Sequence, residues 1–517
     1  MPLKLSNRAV KSVSIILPSP IKGLNCRDNI SDMAQEYAIT MDNYLPQDTK
    51  VCLRKGYIRY ALNDTKVSTL AVCNSASGEQ FLAVANHKIW NISSQNNVYV
   101  VAENGISDDN FRTAQYKNRL YMVNGKDIPK VYSFDEQETL TDWGFSANGL
   151  DAKRIANVSV AKQRLWFVEK DSLKVWYPQV AGNISGVLNC FDLTQVCRFG
   201  GYLVAVAAWT QDGGQGIDDL TVFVTSEGEV LVYSGSDIND ADDWKLRGSY
   251  KISRPLGWRC LTQYQGDVVA ITEDGYLPLS KSLPLDKTNL AQVAFSDTIR
   301  GLVLERTKRY ATYIGWQAII YSRGGFALFN VPVANNFEQH VINLNSGAWC
   351  RFTGIRANCW AQFDRRLYFA SDKGVYLFDE GYSDDGAPIE GVVEQAYSNL
   401  GTDNIKRILL LNPRTKSVSP YNLVIYTNMD MERQDFAPEE SIGYSGQTLW
   451  NTVKWSATNI SIGTIWGNSE KSALRSQWIA NSATGYKVGL VFKTKTSGNT
   501  IEWYETALRY QTGNGVL

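Results

Sequence analysis

The feature that most constrains this chain is a recurring pair of apolar, aromatic-rich strand segments joined by a tight polar or glycine turn. The starts of successive copies lie 38, 45, 56, 47, 51 and 48 residues apart. A strand pair that returns at about this interval is typical of a β-propeller, in which each repeat supplies one four-stranded blade. The seven copies occupy residues 81–92, 119–134, 164–178, 220–235, 267–280, 318–332 and 366–381.

The turns and the side-chain alternation within these copies favour the same architecture. Gly275 and Gly374 stand at hairpin tips, where a positive φ angle is needed. Along residues 366–378 side chains alternate in direction, so Leu367 and Tyr368 point to opposite faces, and both are apolar. Because stacked blades cover both faces of each sheet, we expect both faces to be buried.

The hairpins divide the chain into three parts. Residues 1–60 precede them, residues 61–389 contain them, and residues 390–517 hold longer strand-like runs typical of a separate β-sandwich or open sheet. The sequence therefore predicts an all-β protein. Its β-propeller should have about seven blades, and six to eight are compatible with the spacing.

The charge balance limits the functions open to the chain. Lysine and arginine together number 52, and aspartate and glutamate also number 52. A net charge of zero argues against a protein that grips nucleic-acid phosphates, because such proteins carry a basic excess. The same charge balance is compatible with a channel whose neutral wall lets DNA slide past.

Cysteine and histidine usage argues against a metal site. The eight cysteines include no CxxC pair, and there are two histidines. We predict no metal ion and no cofactor. We expect the cysteines to be reduced and buried, in a protein that is made in a reducing cytoplasm. The apolar run at 15–17 is too short for a signal peptide or a membrane span, so we expect a soluble protein without stable membrane insertion.

Two kinds of residue were candidates for catalysis. Neither His87 nor His340 adjoins a glycine-framed serine, and we interpret both as turn or surface residues. Paired carboxylates can cleave glycans without histidine. We expect the candidate carboxylates to be solvated loop residues, and so predict no catalytic residue; they are Asp218, Asp219, Asp237, Asp240, Asp242 and Asp243.

The acidic loop at 237–243 resembles a calcium loop in composition, since alternating oxygen ligands suit a hard cation. It lacks the central glycine and the terminal glutamate of an EF-hand loop. A turn held by Asx hydrogen bonds is the favoured interpretation, and cation binding stays open.

Seven stretches of the chain carry a resemblance to a known family: 23–57, 191–283, 295–300, 315–333, 347–376, 383–391 and 502–517. They resemble virion structural proteins from short-tailed bacteriophages, the podoviruses. The first stretch resembles the N-terminal signature of that family, and the last resembles its C-terminal segment, with a less regular final glycine pattern.

The resemblance implies a tail hub or nozzle protein in which six copies form a ring below the adaptor that joins the portal. It further implies that DNA passes through the central channel without specific binding, and that tail fibres or spikes attach to the ring. The protein would be made in the host cytoplasm and reside in the virion tail. The family supplies no catalytic residues. Its propeller would stand out from a platform built by the chain ends, 1–60 and 390–517.

Tryptophan is enriched at interface hot spots, so the tryptophans of the C-terminal part are candidate anchors between copies. An ordinary sandwich core is the alternative explanation. The candidates are Trp450, Trp455, Trp466, Trp478 and Trp503.

Two other functions remain open from the sequence. A propeller hydrolase or lyase acting on host-surface polysaccharide would need a cluster of carboxylates at one mouth of the disc. A cytoplasmic propeller scaffold for peptides would show an exposed groove and no self-assembly.

Overall fold

The computed structural model describes residues 12–135, 137–212, 217–240, 242–283, 290–419, 421–432, 440–442 and 473–513. The chain divides into two compact units. We call one the propeller unit, formed by Arg59–His340 and Ile355–Phe378, and the other the platform unit, formed by Met1–Ile58, Val341–Gly354 and Asp379–Leu517.

The N-terminal strands are short and belong mainly to the platform unit. They are β1 (Ser12–Pro18), β2 (Gly23–Leu24), β3 (Tyr37–Asp42), β4 (Tyr44–Pro46), β5 (Val51–Leu53) and β6 (Tyr57–Ala61), of which β6 leads into the propeller unit.

The propeller unit begins with three small sheets that follow one another along the chain. The first contains β7 (Val67–Ser75), β8 (Gly78–Ala85), β9 (Lys88–Ser94) and β10 (Asn97–Ala102). The second contains β11 (Arg112–Tyr116), β12 (Arg119–Val123), β13 (Lys130–Ser133) and β14 (Thr139–Asp142). The third contains β15 (Phe145–Ser146), β16 (Ile155–Ala161), β17 (Arg164–Glu169), β18 (Lys174–Pro178) and β19 (Gly186–Asp192).

Three more small sheets complete the set. The fourth contains β20 (Leu203–Asp212), β21 (Ile217–Thr225), β22 (Glu229–Ser234) and β23 (Lys245–Lys251), and the fifth contains β24 (Leu261–Tyr264), β25 (Asp267–Thr272) and β26 (Gly275–Pro278). Next come β27 (Gln317–Tyr321), β28 (Phe326–Val333), β29 (Asn336–Asn343) and β30 (Trp349–Phe352). The sixth contains β31 (Cys359–Phe363), β32 (Arg366–Ser371) and β33 (Gly374–Phe378), with β6 as its outer strand.

The innermost strands of these groups form a closed ring. In order around it, β7, β11, β16, β20, β24, β27 and β31 each contact the next, and β31 contacts β7 again. The six small sheets fill six positions, and β27 fills a seventh between β24 and β31. An N-terminal strand, β6, completes the last sheet, which is how a propeller ring is sealed without free edges. The predicted all-β propeller is confirmed.

All seven predicted hairpins are present. Six of them are the second and third strands of their sheets, as β12 and β13 are, whereas the hairpin at 318–332 starts on the innermost strand β27. Both faces of the blades are buried as expected, since Leu367 and Tyr368 are at most 3 % exposed. Aromatic rings fill the spaces between sheets: the ring of Trp166 lies 5.4 Å from Phe223, edge to face, and stacks on Trp244.

Helices are few and short among the described residues. The α-helices are α1 (Leu279–Ser282), α2 (Leu290–Val293) and α3 (Arg300–Tyr310), which lie between β26 and β27, and single 3-10 turns occur at Ala152–Arg154, Asp297–Ile299 and Ser322–Gly324. None of the helices in the described ranges has the length and apolar composition needed to cross a lipid bilayer.

The platform unit contains two sheets. Its remaining strands are β34 (Ile389–Gln395), β35 (Ile405–Ser417), β36 (Tyr421–Met429), β37 (Glu440–Ile442), β38 (Ala473–Ser476), β39 (Ile479–Gly485), β40 (Val488–Thr496) and β41 (Ile501–Gly513). One sheet runs β38-β35-β41-β5-β4, with β1 on β41 and β39 on β35, and the other includes β30-β2-β3-β34-β40-β36-β37. Phe492 of β40 stacks on Trp503 of β41 at 4.4 Å, so the two sheets pack face to face.

The unit boundaries differ from those expected at 60/61 and 389/390. The chain crosses between units after Ile58 and after Phe378, and Val341–Gly354 belongs to the platform unit. The reason is strand pairing. Trp349 lies opposite Gly23, and Arg351 lies opposite Asp42 with an ion pair of 2.7 Å, which ties β30 to the N-terminal strands.

Candidate functional site

A central cavity of about 560 Å³ runs inside the ring and is lined by all seven innermost strands. Its lining consists of aliphatic and aromatic side chains, hydroxyls, amides and two arginines. Within the described part of the chain, no aspartate, glutamate or histidine lines it. The described lining therefore presents no carboxylate or imidazole, the side chains that most often act as general acids and bases.

Amide side chains hold neighbouring innermost strands together in this cavity. Gln115 of β11 donates from Nε2 to the carbonyl of Asn74 at 2.7 Å and accepts the amide N–H of the same residue at 3.1 Å. Gln317 of β27 makes the same pair of bonds to Trp360, at 2.9 and 3.0 Å. Each glutamine amide thus satisfies the backbone N–H and carbonyl of a residue on the neighbouring innermost strand, where the two strands do not pair with each other. These glutamines are not recognisable from the sequence, because a lone glutamine in a strand carries no distinctive pattern.

A second cavity, of about 220 Å³, adjoins the first and shares Phe111, Arg112, Trp258 and Arg259 with it. We call this cavity the arginine mouth. Its lining includes four cationic side chains, one carboxylate and two indole rings, namely Arg112, Lys126, Lys170, Arg259, Asp108, Trp258 and Trp316.

The two arginines are held in place by backbone carbonyls and an aromatic ring. Nη1 of Arg112 donates to the carbonyls of Asn110 and Asn124, at 3.0 and 3.1 Å, and its guanidinium lies 5.1 Å from the Trp258 ring centre. Arg259 donates from Nη2 to the carbonyl of Phe111 at 2.8 Å. Burial first, and then the positive charge of Arg259, lower the pKa of Arg112 to about 10. The side chain stays charged at neutral pH, in an environment that disfavours the charge.

The two histidines occupy different surroundings. His87 lies in the turn between β8 and β9, as predicted, and its backbone N–H donates to Asp109. His340 was predicted to be a turn or surface residue, which is wrong. It lies in β29, is 0 % exposed, and bonds to the hydroxyl of Tyr276 at 2.8 Å and to Glu338 at 3.1 Å. A polar stretch that finds partners inside the protein is buried despite its composition.

The acidic loop is held by its own hydrogen bonds. The carboxylate of Asp243 accepts the backbone N–H groups of Ser236 and Asp237 at 2.6 and 2.7 Å, and Asp240 accepts the N–H of Asp242 at 2.9 Å. The hydrogen bonds from Asp237 and Ser236 lower the pKa of Asp243. The predicted Asx-type turn is confirmed.

Asp218 and Asp219 lie in β21, and their side chains are outside the described part of the structure. Among described residues, no group of three His, Cys, Asp or Glu side chains gathers to hold a metal ion.

The eight cysteines are all free thiols. Cys73, Cys260 and two others, Cys350 and Cys359, are buried as expected. Cys26 and Cys190 are exposed, so the expectation that all are buried is wrong.

The candidate tryptophans separate into three groups. Trp450, Trp455 and Trp466 lie outside the described residues. Trp503 is fully buried in the platform core, where its indole N–H donates to Thr506 at 3.0 Å. Trp478 is 43 % exposed, with the guanidinium of Arg509 5.4 Å from its ring centre. Trp478 is therefore the member of the described pair that can meet a partner.

Comparison with solved structures returns propellers. The WD40 β-propeller domain of Doa1 is 8 % identical, with 62 % of this chain and 96 % of that chain covered and a TM-score of 0.37. BBS1N in its complex with ARL6DN is 10 % identical, with 64 % and 99 % covered and a TM-score of 0.38. Scores this low carry no argument, and the fold rests on the strand order above. No protein-family model and no curated protein matches the chain.

Proposed function

We propose that this chain is a non-enzymatic structural subunit of a short-tailed bacteriophage tail: a hub or nozzle in which six copies form a ring below the adaptor. The ring would conduct DNA during ejection and would bear the tail fibres. A propeller unit together with a platform unit built from both chain ends agrees with the architecture that the sequence resemblance implies. The neutral charge balance suits a channel that DNA must not adhere to.

The observation that carries the proposal is an exposed apolar face on the platform unit. In the antiparallel pair of β1 and β41, Ser14 lies opposite Arg509 and Ile16 lies opposite Ala507, so Ile16 and Arg509 share one face of the sheet. Arg509 in turn covers Trp478. Ile16 and Trp478 are 50 % and 43 % exposed, so an exposed apolar side chain shares the sheet face of Arg509 and a second one lies against its guanidinium.

The edge of the same sheet supports the assignment of a second copy as the partner. Among the described strands, β1 pairs with β41 alone, so its other backbone edge is unpaired by strands. Proteins normally protect such edges, and an unprotected edge beside exposed apolar side chains is suited to association. A closed ring of identical subunits requires a patch of this kind facing a different patch on the neighbour.

Native mass spectrometry of the full chain tests the proposal. We expect a species of about 347 kDa, six times the 57.8 kDa chain, formed alone or with the adaptor protein. Trp478→Ala should shift the distribution towards monomer, because exposed aromatic anchors dominate interface energies. Phe199→Ala removes a similarly exposed ring from the propeller unit and serves as the matched control. A monomer under every assembly condition would contradict the proposal.

The glycan-cleaving alternative needs a carboxylate pair at a mouth of the disc. At the arginine mouth the described lining has Asp108 as its one carboxylate, and Lys126 pairs with it at 2.5 Å. Incubation of the protein with host envelope glycans tests this alternative. If the protein released sugars, and if Asp→Asn substitutions abolished that release, the proposed structural role would be overturned.

A further inference from the structure

We propose that the arginine mouth of the propeller unit is a binding site for a compact oxyanion, a phosphate or a carboxylate group. The juxtaposition that carries this proposal is a pair of neighbouring guanidinium groups and a lysine around one small cavity. The proposal concerns the propeller unit alone and does not depend on ring formation.

The charges around this cavity are unbalanced. Its one described carboxylate, Asp108, already accepts hydrogen bonds from Asn110 and from the ammonium of Lys126. Within the described ranges, Arg112, Arg259 and Lys170 form no ion pair, and the charge of Asp108 acts on Arg112 only from beyond ion-pair distance. Partly buried cations normally have a counter-charge, because desolvation of an unpaired charge costs free energy. A bound anion would supply that counter-charge.

The cations are also preorganised. Arg112 is fixed by two carbonyls and by the ring of Trp258, and Arg259 is fixed by the carbonyl of Phe111. Neither side chain needs to give up rotational freedom when a ligand binds, which is the usual cost of using arginine. The two guanidinium groups repel each other, and an oxyanion between them would be attracted by both.

The kind of ligand follows from donor geometry and size. A guanidinium presents a planar fork of N–H groups that matches the two oxygens of a carboxylate or a phosphate. A cavity of about 220 Å³ is below the usual range for drug-sized ligands, so it suits one small group or the tip of a larger molecule. The indole of Trp316 and the residue Gly257 form an uncharged part of its wall.

Isothermal titration calorimetry of the full chain at low salt tests the proposal, with inorganic phosphate and glutarate as the two probes. We expect at least one probe to bind, and its dissociation constant to rise about tenfold or more in Arg259→Gln and in Lys170→Gln. Lys245→Gln removes an exposed lysine from β23 and should leave binding unchanged. Lys170 is the safer variant for folding, since its ammonium makes no hydrogen bond or ion pair with described residues.

The two probes separate the sources of the oxyanion. Tighter binding of phosphate supports a phosphorylated ligand, and tighter binding of glutarate supports an acidic side chain of a partner protein. The proposal is overturned if neither probe binds up to about 10 mM, beyond the millimolar range of weak sites. It is equally overturned if binding persists in folded Lys170→Gln and Arg259→Gln.

Discussion

The propeller unit and the platform unit differ in how far apart in the sequence their contacting residues lie. In the propeller unit each of the first five small sheets is a continuous piece of chain, as β7–β10 between Val67 and Ala102 shows, and the sixth takes only β6 from elsewhere. In the platform unit Ser12 pairs with Gln511, and Arg54 bonds to Asp384, 330 residues away. The propeller unit therefore forms mainly from contacts between residues close in sequence, whereas the platform unit depends on contacts between distant residues. Contacts between distant residues are slower to form and harder to predict.

The two units also differ in what holds their segments together. Aromatic rings such as Trp166 and Phe223 join the propeller sheets. In the platform unit a buried cation joins three chain segments: Arg54 donates to Asn43, to the carbonyl of Thr353 and to Asp384. Packing tolerates many apolar sequences, but a buried ion pair requires specific partners.

The largest expected effect comes from removing that cation. The side chains of Arg54 and Asp384 are 2 % and 10 % exposed, so Arg54→Ala leaves a buried carboxylate without its partner. We expect a loss of about 3–5 kcal/mol in the free energy of unfolding. Urea denaturation measures the loss, and hydrogen exchange should place it in β3 and β34 of the platform unit.

The control for this change is Arg254→Ala, which breaks the exposed ion pair with Glu227 in the propeller unit. Solvent screens an exposed ion pair, which therefore contributes little to stability, so this variant should unfold nearly as the wild type does. Equal losses in the two variants would remove the contrast between the units.

A smaller effect tests the closure of the propeller ring. Gly374 has a φ of +126°, and a Cβ there would lie 2.8 Å from the backbone carbonyl oxygen of Leu62, next to β6. Gly78 has nearly the same φ, +127°, and open space around it. Backbone strain should lower the free energy of unfolding by about 1–3 kcal/mol in both alanine variants, and the clash should lower it further in Gly374→Ala. Thermal unfolding compares them, and an equal loss would mean that this contact does not support closure.

A still smaller effect tests the amide bonds inside the cavity. Gln317→Ala leaves the N–H and the carbonyl of Trp360 without their side-chain partner. We expect a loss of about 1–3 kcal/mol, since buried polar groups are left unsatisfied. Gln179→Ala changes an exposed glutamine and should stay within about 0.5 kcal/mol of the wild type. Urea denaturation of both variants measures the difference.

The smallest expected effect is a dependence of the free energy of unfolding on pH, through a carboxyl of the propeller unit. Partial burial pushes the pKa of Asp127 up, but hydrogen bonds from Ser107 and Asn124 outweigh it, and the pKa lies below its ordinary value. A carboxyl with a depressed folded-state pKa adds stability above its unfolded pKa of about 3.9, and that stability disappears as the pH falls through the folded value.

Asp127→Asn should therefore lose stability at pH 6 and show a shallower decline between about pH 4 and pH 2. Asp171→Asn, at an exposed site, is the control. Urea denaturation across this pH range measures the slopes. Parallel slopes for Asp127→Asn and the wild type would contradict the assignment.

The contrast between the units also explains what the sequence could predict. The seven hairpins were recognisable because their pattern is local and repeated, and all seven are present. The place of Val341–Gly354 in the platform unit was not predictable, because it depends on pairing with Gly23 and Asp42. His340 was misjudged because its partners, Tyr276 and Glu338, become visible only in the fold.

The arginine mouth escaped prediction for the same reason. Arg112 opens β11 and Arg259 precedes β24, and closure of the ring alone brings them to one cavity. No spacing pattern in the sequence predicts that these two arginines lie together. Trp478, in contrast, was a candidate from its residue type, and its role at an interface stays a prediction.

We propose that this all-β protein acts by assembling with copies of itself. Electron cryomicroscopy of the full chain, alone and with the adaptor, tests it most directly. The account predicts sixfold rings in which every subunit shows a propeller with seven positions around its axis. Single, unassociated subunits under all of these conditions would contradict it.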